Sequence, residues 1–141
     1  MARTVLVFES DDEFAAESRG ELQKLGWEVL VFDDGKALFE QAIALRPELV
    51  LISVEHRWSR GQEALALCNR LKKTPALKSI PVIVLSNDSS HEICAAHRAL
   101  DSVRADDYVR TPIAWRDLYA RVQQFVGLGI AGPYRDSGRP Y

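Results

Sequence analysis

The stretch from Pro47 to Trp58, PELVLISVEHRW, decides the fold. Its four consecutive apolar residues, Leu49 to Ile52, are too few for a helix. They suffice for a strand buried on both faces, as in a parallel sheet covered by helices. Ser53 falls where that strand should end. In open parallel sheets the working residues sit at the carboxyl ends of the strands. The question posed here is therefore what a serine can do at such a place.

Upstream, Thr4 to Phe8 is a β-branched and aromatic run that stops at Glu9-Ser10-Asp11-Asp12-Glu13. Phe14, Leu22 and Leu25 then mark a helical stripe. Asp11 or Asp12 can cap that helix, Glu13 adds favourable charge to its first turn, and Gly26 closes it. Glu28 to Phe32 reads as a strand and Asp33-Asp34-Gly35 as a turn. A helix follows from Lys36 to Arg46, with Leu38, Phe39, Ala42, Ile43 and Leu45 as a broad apolar stripe and Pro47 as its stop. Beyond the central strand, Glu55 to Gln62 reads as a polar loop, a few residues longer than usual. Ala64 to Lys73 reads as a helix with Leu65, Cys68 and Leu71 inward and Arg70, Lys72 and Lys73 outward. Ile80 to Leu85 is a second doubly buried strand ending at Ser86, with Pro81 tolerated at its start. Ile93, Ala96, His97 and Leu100 give a weaker, partly exposed helix. Ala105 to Val109 is a short strand before Thr111-Pro112, and the last helix runs from about Ala114 to Val126, with Leu118, Val122 and Phe125 facing the core.

Five strands alternating with five helices predict an α/β, flavodoxin-like doubly wound parallel sheet with helices on both faces. The commonest order for five such units is 2-1-3-4-5. One domain fills residues 1–126. Residues 127–141, with four glycines and two prolines and no apolar period, read as a linker or frayed tail.

Composition narrows the function. Eighteen basic and twenty acidic side chains leave a net charge of −2, which gives no field to draw nucleic acid or an anionic membrane. No leader-like segment and no apolar run of spanning length is present, so the expected location is the cytoplasm. Cys68 and Cys94 show no metal-ligand spacing and read as reduced, buried thiols. His91 and His97 flank Cys94 at a spacing that a regular helix cannot turn to one metal.

The runs VLVFESDD, PELVLISV, IPVIVLS and ADDYVRTP, in that order, resemble the receiver domain of bacterial two-component response regulators over about residues 3 to 126. The resemblance implies a phosphorylation switch. In that family an aspartate at the end of the third strand takes a phosphoryl group, and an acidic pair after the first strand holds Mg²⁺. A Thr or Ser after the fourth strand contacts the phosphoryl, and a Lys before a proline after the fifth pairs with it. Carried over, the phosphoacceptor position is Ser53, the acidic pair is Glu9 and Ser10 with Asp11 beside it, the Thr/Ser position is Ser86 and the Lys position is Thr111. The pattern ESD with the later LCNRLKK is also similar to pseudo-receivers of gliding-motility proteins.

The departures have physical consequences. An aspartate is ionised at neutral pH, whereas a serine hydroxyl needs an activating base. Mg²⁺ binds through carboxylates and phosphate oxygens, and the carboxylates at positions 10 and 53 are gone. Thr111 offers no ammonium to hold a phosphoryl group, and strand alternation turns Arg110 to the other face. The joint losses imply a pseudo-receiver without metal, cofactor or catalytic residues, which sits in one conformation and docks a protein partner; such a module can stand alone or form part of a longer multidomain protein. The competing reading is a phosphoacceptor that uses Ser53 or a displaced carboxylate such as Glu55. A flavodoxin-type nucleotide site is disfavoured because Glu9, Asp11 and Asp12 would repel phosphate. For the docking face the sequence offers Tyr108, Trp115 and Tyr119, with Arg110 and Arg116 beside them, since aromatic residues serve as interface anchors. Trp58 in the long loop is the next candidate. Trp27 reads as a packing residue.

Overall fold

In the computed structural model, residues 3–9, 11–54, 58–86, 105–111 and 113–126 are described. The elements are β1 (Arg3–Phe8), α1 (Asp12–Lys24), β2 (Trp27–Phe32), α2 (Gly35–Leu45), β3 (Leu49–Val54), α3 (Trp58–Lys73), β4 (Val82–Ser86), β5 (Asp107–Arg110) and α4 (Trp115–Val126). The strands form one parallel sheet in the order β2-β1-β3-β4-β5, as expected. The helix expected around residues 93–100 lies outside the described residues.

Side-chain alternation divides the core into two halves. Leu6 and Phe8 of β1, Val50 and Ile52 of β3, and Val82 and Val84 of β4 face α2 and α3, where Leu38, Ala42, Cys68 and Leu71 cover them. Val5, Val7, Leu49, Leu51, Ile83 and Leu85 face the other way, against Leu22 of α1 and Leu118, Tyr119 and Val122 of α4. Both halves are built of buried apolar side chains, and each buried Leu, Ile or Val contributes about 2 kcal/mol of transfer free energy. That is why the central strands tolerate no polar residue until Ser53.

The helix ends follow the local chemistry. Asp11 caps α1, its Oδ1 accepting from the backbone N–H groups of Glu13 at 2.9 Å and Phe14 at 3.3 Å. Gly26 takes φ 91° after the helix, a conformation costly for any residue with a Cβ. Asp34 caps α2 through Lys36 N–H at 3.1 Å. That helix stops one residue earlier than expected, because Arg46 turns left-handed at φ 49°. A residue before proline is pushed out of the right-handed helical region, and Pro47 follows.

Three expectations need correction. The expected loop from Glu55 to Gln62 is mostly helix, since α3 begins at Trp58; polar residues in its first turns hid the helical period. Ile43 and Leu45 are 45% and 46% exposed, so the inward face of α2 is narrower than its apolar content suggested. Lys72 turns inward. It is only 8% exposed, and its ammonium donates to Asp106 Oδ2 at 2.8 Å and to the Ile80 carbonyl at 3.1 Å. The same Asp106 oxygen accepts from Val82 N–H at 2.8 Å. One ion pair thus ties the end of α3 to the starts of β4 and β5. Among the described residues, no helix is long and apolar enough to cross a membrane.

Candidate functional site

The strand register brings the sequence-derived positions to one edge of the sheet. Phe8, the last residue of β1, pairs with Ile52 of β3 and Phe32 of β2, so Glu9 falls level with Ser53. Glu9 N–H extends the ladder to the Phe32 carbonyl at 2.8 Å. Ser53 pairs with Leu85, and Ser86 ends β4 opposite Val54 and Arg110. Thr111, half-buried, comes one step later. Glu9, Ser53, the Ser86 backbone and Thr111 therefore share the carboxyl edge. By alternation Arg110 belongs to the Tyr108 face of β5, opposite that of Val109 and Thr111. Ser10, Pro112 and the Ser86 side chain lie outside the described residues.

Among the described residues of this edge, the deeply buried carboxylate is that of Glu9. Glu9 is 4% exposed, and its Oε2 accepts the Asp11 N–H at 2.9 Å. The Asp11 carboxylate is engaged in capping α1. Ser53 is half-buried and carries a neutral hydroxyl. Among the described residues, no group of three or more His, Cys, Asp or Glu is arranged to hold a metal ion. Mg²⁺, which the family resemblance implies, prefers several carboxylate or phosphate oxygens in octahedral array. One carboxylate tied to its own loop, a serine and a threonine do not fit it.

Beside this edge, toward β2, the surface opens into a groove of about 440 Å³. One wall is α1, where Asp12, Ala15, Ala16 and Arg19 line up at helical spacing. These positions lie off the core-facing line of Phe14, Ser18 and Leu22, and the two alanines leave the space open. Glu9, Val31, Phe32, Asp33, Asp34 and Ala37 complete its lining. In the sequence Asp33 and Asp34 read as turn residues only. Their position beside Glu9 follows from the β1–β2 pairing, which no local pattern reveals.

Of the two aromatic residues expected to be exposed on the last helix, Tyr119 is buried and Trp115 is half-buried. Tyr119 is 1% exposed, and its hydroxyl accepts from the Trp27 indole N–H at 2.8 Å. Burial pushes the Tyr119 phenol above its ordinary value, opposed by that hydrogen bond and by Arg3. The Trp115 ring stacks on Phe14 of α1, centroids 5.8 Å apart and planes 24° off parallel. Tyr108 is half-buried against the α2–α3 half of the core, and its hydroxyl accepts from Ala105 N–H at 3.2 Å. The inward stripe of α4 is wider than the three residues assigned to it; an apolar face of 100° or more takes neighbours such as Leu118 and Tyr119 together. Trp58 opens α3, and its side chain lies outside the described residues.

No model of a known protein family matches the sequence. Over 120 residues, 85% of the chain, it is 28% identical to the adventurous-gliding motility protein Z of Myxococcus xanthus, and it spans 8% of that protein's length. Among solved structures, the signal receiver domain of a histidine kinase from Syntrophus aciditrophicus superposes with a TM-score of 0.75 at 24% identity, covering 99% of this chain and 96% of that one. A response regulator protein from Burkholderia multivorans gives 0.69 at 26% identity, over 92% and 98% of the two chains. The receiver domain of a Pseudomonas aeruginosa sensor histidine kinase, with magnesium in its active-site cleft, gives 0.73 at 18% identity, over 91% and 100%. Strand order, two-sided helical cover and these superpositions agree: the chain has the flavodoxin-like receiver-domain fold of two-component signalling proteins.

Proposed function

We propose that this chain is a phosphorylation-independent receiver-like module, not an enzyme, that acts in signalling by binding a protein partner as part of a longer protein. The observation that carries the reading is Ser53 at the end of the central strand, level with Glu9. A hydroxyl at that place is not ionised at neutral pH and needs a base to attack phosphorus. The carboxylate level with it already accepts a backbone N–H. Thr111 supplies no positive charge to pair with a phosphoryl group. The similarity to a small part of the gliding-motility protein Z supports a role as one module within a larger motility or signalling protein.

The test is Mg²⁺ with beryllofluoride, followed by amide chemical shifts, beside acetyl phosphate labelling followed by mass spectrometry. The expected result is no saturable shift at residues 9, 53 or 111 and no added phosphate. Ser53→Asp should fold and still label far more slowly than an ordinary receiver, because the metal carboxylate and the lysine remain missing. Labelling of the wild-type chain at Ser53 or at Glu55, which lies outside the described residues, would replace this reading with that of a functional phosphoacceptor.

A further inference from the structure

We propose that the seam between α2 and α3 is a docking site for an acidic amphipathic helix of the partner protein, which sets an aliphatic side chain on Ile43 and a carboxylate on Arg70. This rests on the reading of the chain as a protein-binding module and names the surface that reading lacks now that Tyr119 is buried.

The two helices meet side by side along a row of named contacts. Near their starts, the Gly35 N–H donates to Glu63 Oε2 at 3.2 Å, and a Cβ on Gly35 would lie 3.8 Å from that of Leu67. One turn on, the Arg70 guanidinium lies over the Phe39 ring, 3.9 Å from its centroid. One turn further, Ile43 follows Phe39 at i+4 and Lys73 follows Arg70 at i+3, so this end of the seam carries all four on its outer side. Ile43 is 45% exposed, an apolar surface that gains by leaving water. Arg70 and Lys73 are exposed, and neither is in an ion pair among the described residues. The nearest acids on these helices are engaged or turned away: Glu63 holds Gly35, and Glu40 points outward from α2. Stacking on Phe39 holds the Arg70 guanidinium in place and leaves its N–H edge open to a carboxylate, which lowers the ordering cost of binding. Charge then selects the occupant. A basic segment would be repelled, and a purely apolar one would strip water from two cations without pairing them. A helix with carboxylates beside its apolar stripe meets both demands at i, i+3 and i+4 spacing. Leu45, equally exposed at 46%, stands about 200° round α2 from Ile43, on the flank away from α3, and lies outside the site.

The experiment is a titration of the ¹⁵N-labelled chain with the peptide acetyl-Ala-Glu-Glu-Leu-Leu-Ala-Glu-Leu-Leu-Glu-Glu-Ala-amide, without Mg²⁺ or any phosphoryl donor. Peptides with glutamine or lysine in place of every glutamate run beside it at matched ionic strength. Saturable shifts confined to residues 36–43 and 66–74 are expected with the glutamate peptide alone. Ile43→Ser and Arg70→Gln should each weaken binding about tenfold or more, while Leu45→Ser removes as much exposed apolar surface and should leave it unchanged. Arg70→Glu combined with Lys73→Glu should transfer the preference to the lysine peptide. Circular dichroism checks that each variant keeps the fold; all four positions are exposed, so little stability is at stake. The absence of saturable shifts would overturn the proposal, and so would shifts that spread to Arg19, Arg110 and Arg116, which mean general charge attraction. Equal binding of the glutamine peptide, or equal losses from Ile43→Ser and Leu45→Ser, would reduce the contact to unspecific apolar adhesion and overturn it too. Failure here leaves the beryllofluoride result standing, and phosphate on Ser53 would leave the shifts along α2 and α3 standing, so the two readings fall separately.

Discussion

Replacing Tyr119 by phenylalanine removes one oxygen and tests whether the last helix offers a surface or a core. The Trp27 indole N–H donates to that oxygen at 2.8 Å, and the two residues are 3% and 1% exposed. Phenylalanine keeps the ring and leaves the N–H buried with its acceptor gone. An orphaned buried donor costs about 1–3 kcal/mol, so a loss of about 2 kcal/mol is expected, or roughly 6–10 °C in melting temperature for a domain of this size. Urea unfolding followed by far-ultraviolet circular dichroism measures it without relying on Trp27 as the probe. Trp27→Phe combined with Tyr119→Phe should cost less than the sum of the two, because the double variant has no orphan. The phenol, harder to ionise when buried, adds a pH signature. The folded chain holds its proton while the unfolded chain releases it above about pH 10. Stability from this group is therefore complete below that pH and is lost as the pH climbs through the folded value. Wild type should lose its advantage over Tyr119→Phe on the alkaline side. A change within about 0.5 kcal/mol for Tyr119→Phe, as for an exposed position, would refute the argument and return Tyr119 to the candidates for partner contact.

Two further perturbations test other buried groups. Lys72→Met leaves the Asp106 carboxylate without its ammonium, and should cost about 2 kcal/mol in urea unfolding; losses no larger than those of a surface pair would show that the clamp is solvated. The Cys68 thiol is pushed from 9.0 to about 12, chiefly by burial, with Lys72 opposing and Asp106 adding. In a Cys94→Ser background it should resist a disulfide reagent at pH 8 until the chain unfolds. Folding stability should fall between pH 9 and about 12 because only the unfolded thiol ionises there. Cys68→Ala should flatten that fall, and labelling at the rate of a free thiol would contradict the buried placement.

Most of the architecture follows from local rules. Leu49 to Ile52 and Val82 to Leu85 can be strands only in a sheet covered on both faces, and the alternation of strand and helix then leaves few topologies. Asp11 and Gly26 mark the ends of α1 because capping and positive φ are properties of single residues. The strand-end positions Glu9, Ser53, Ser86 and Thr111 were legible too, because register in a parallel sheet follows from where each apolar run stops. What the tertiary structure decided involves partners far apart in the chain. Lys72 in a run of basic residues reads as solvated until Asp106 arrives from the start of β5 to neutralise it. Tyr119 reads as an exposed ring until β2 brings Trp27 against it from 92 positions away. Asp33 and Asp34 become part of an acidic groove only when β2 pairs with β1 and sets their loop beside α1. Periodicity records how much of a helix is buried, and it is silent about which distant polar group will satisfy a buried one. That is decided by packing, where an unpaired N–H or ammonium would cost more than the local pattern can reveal.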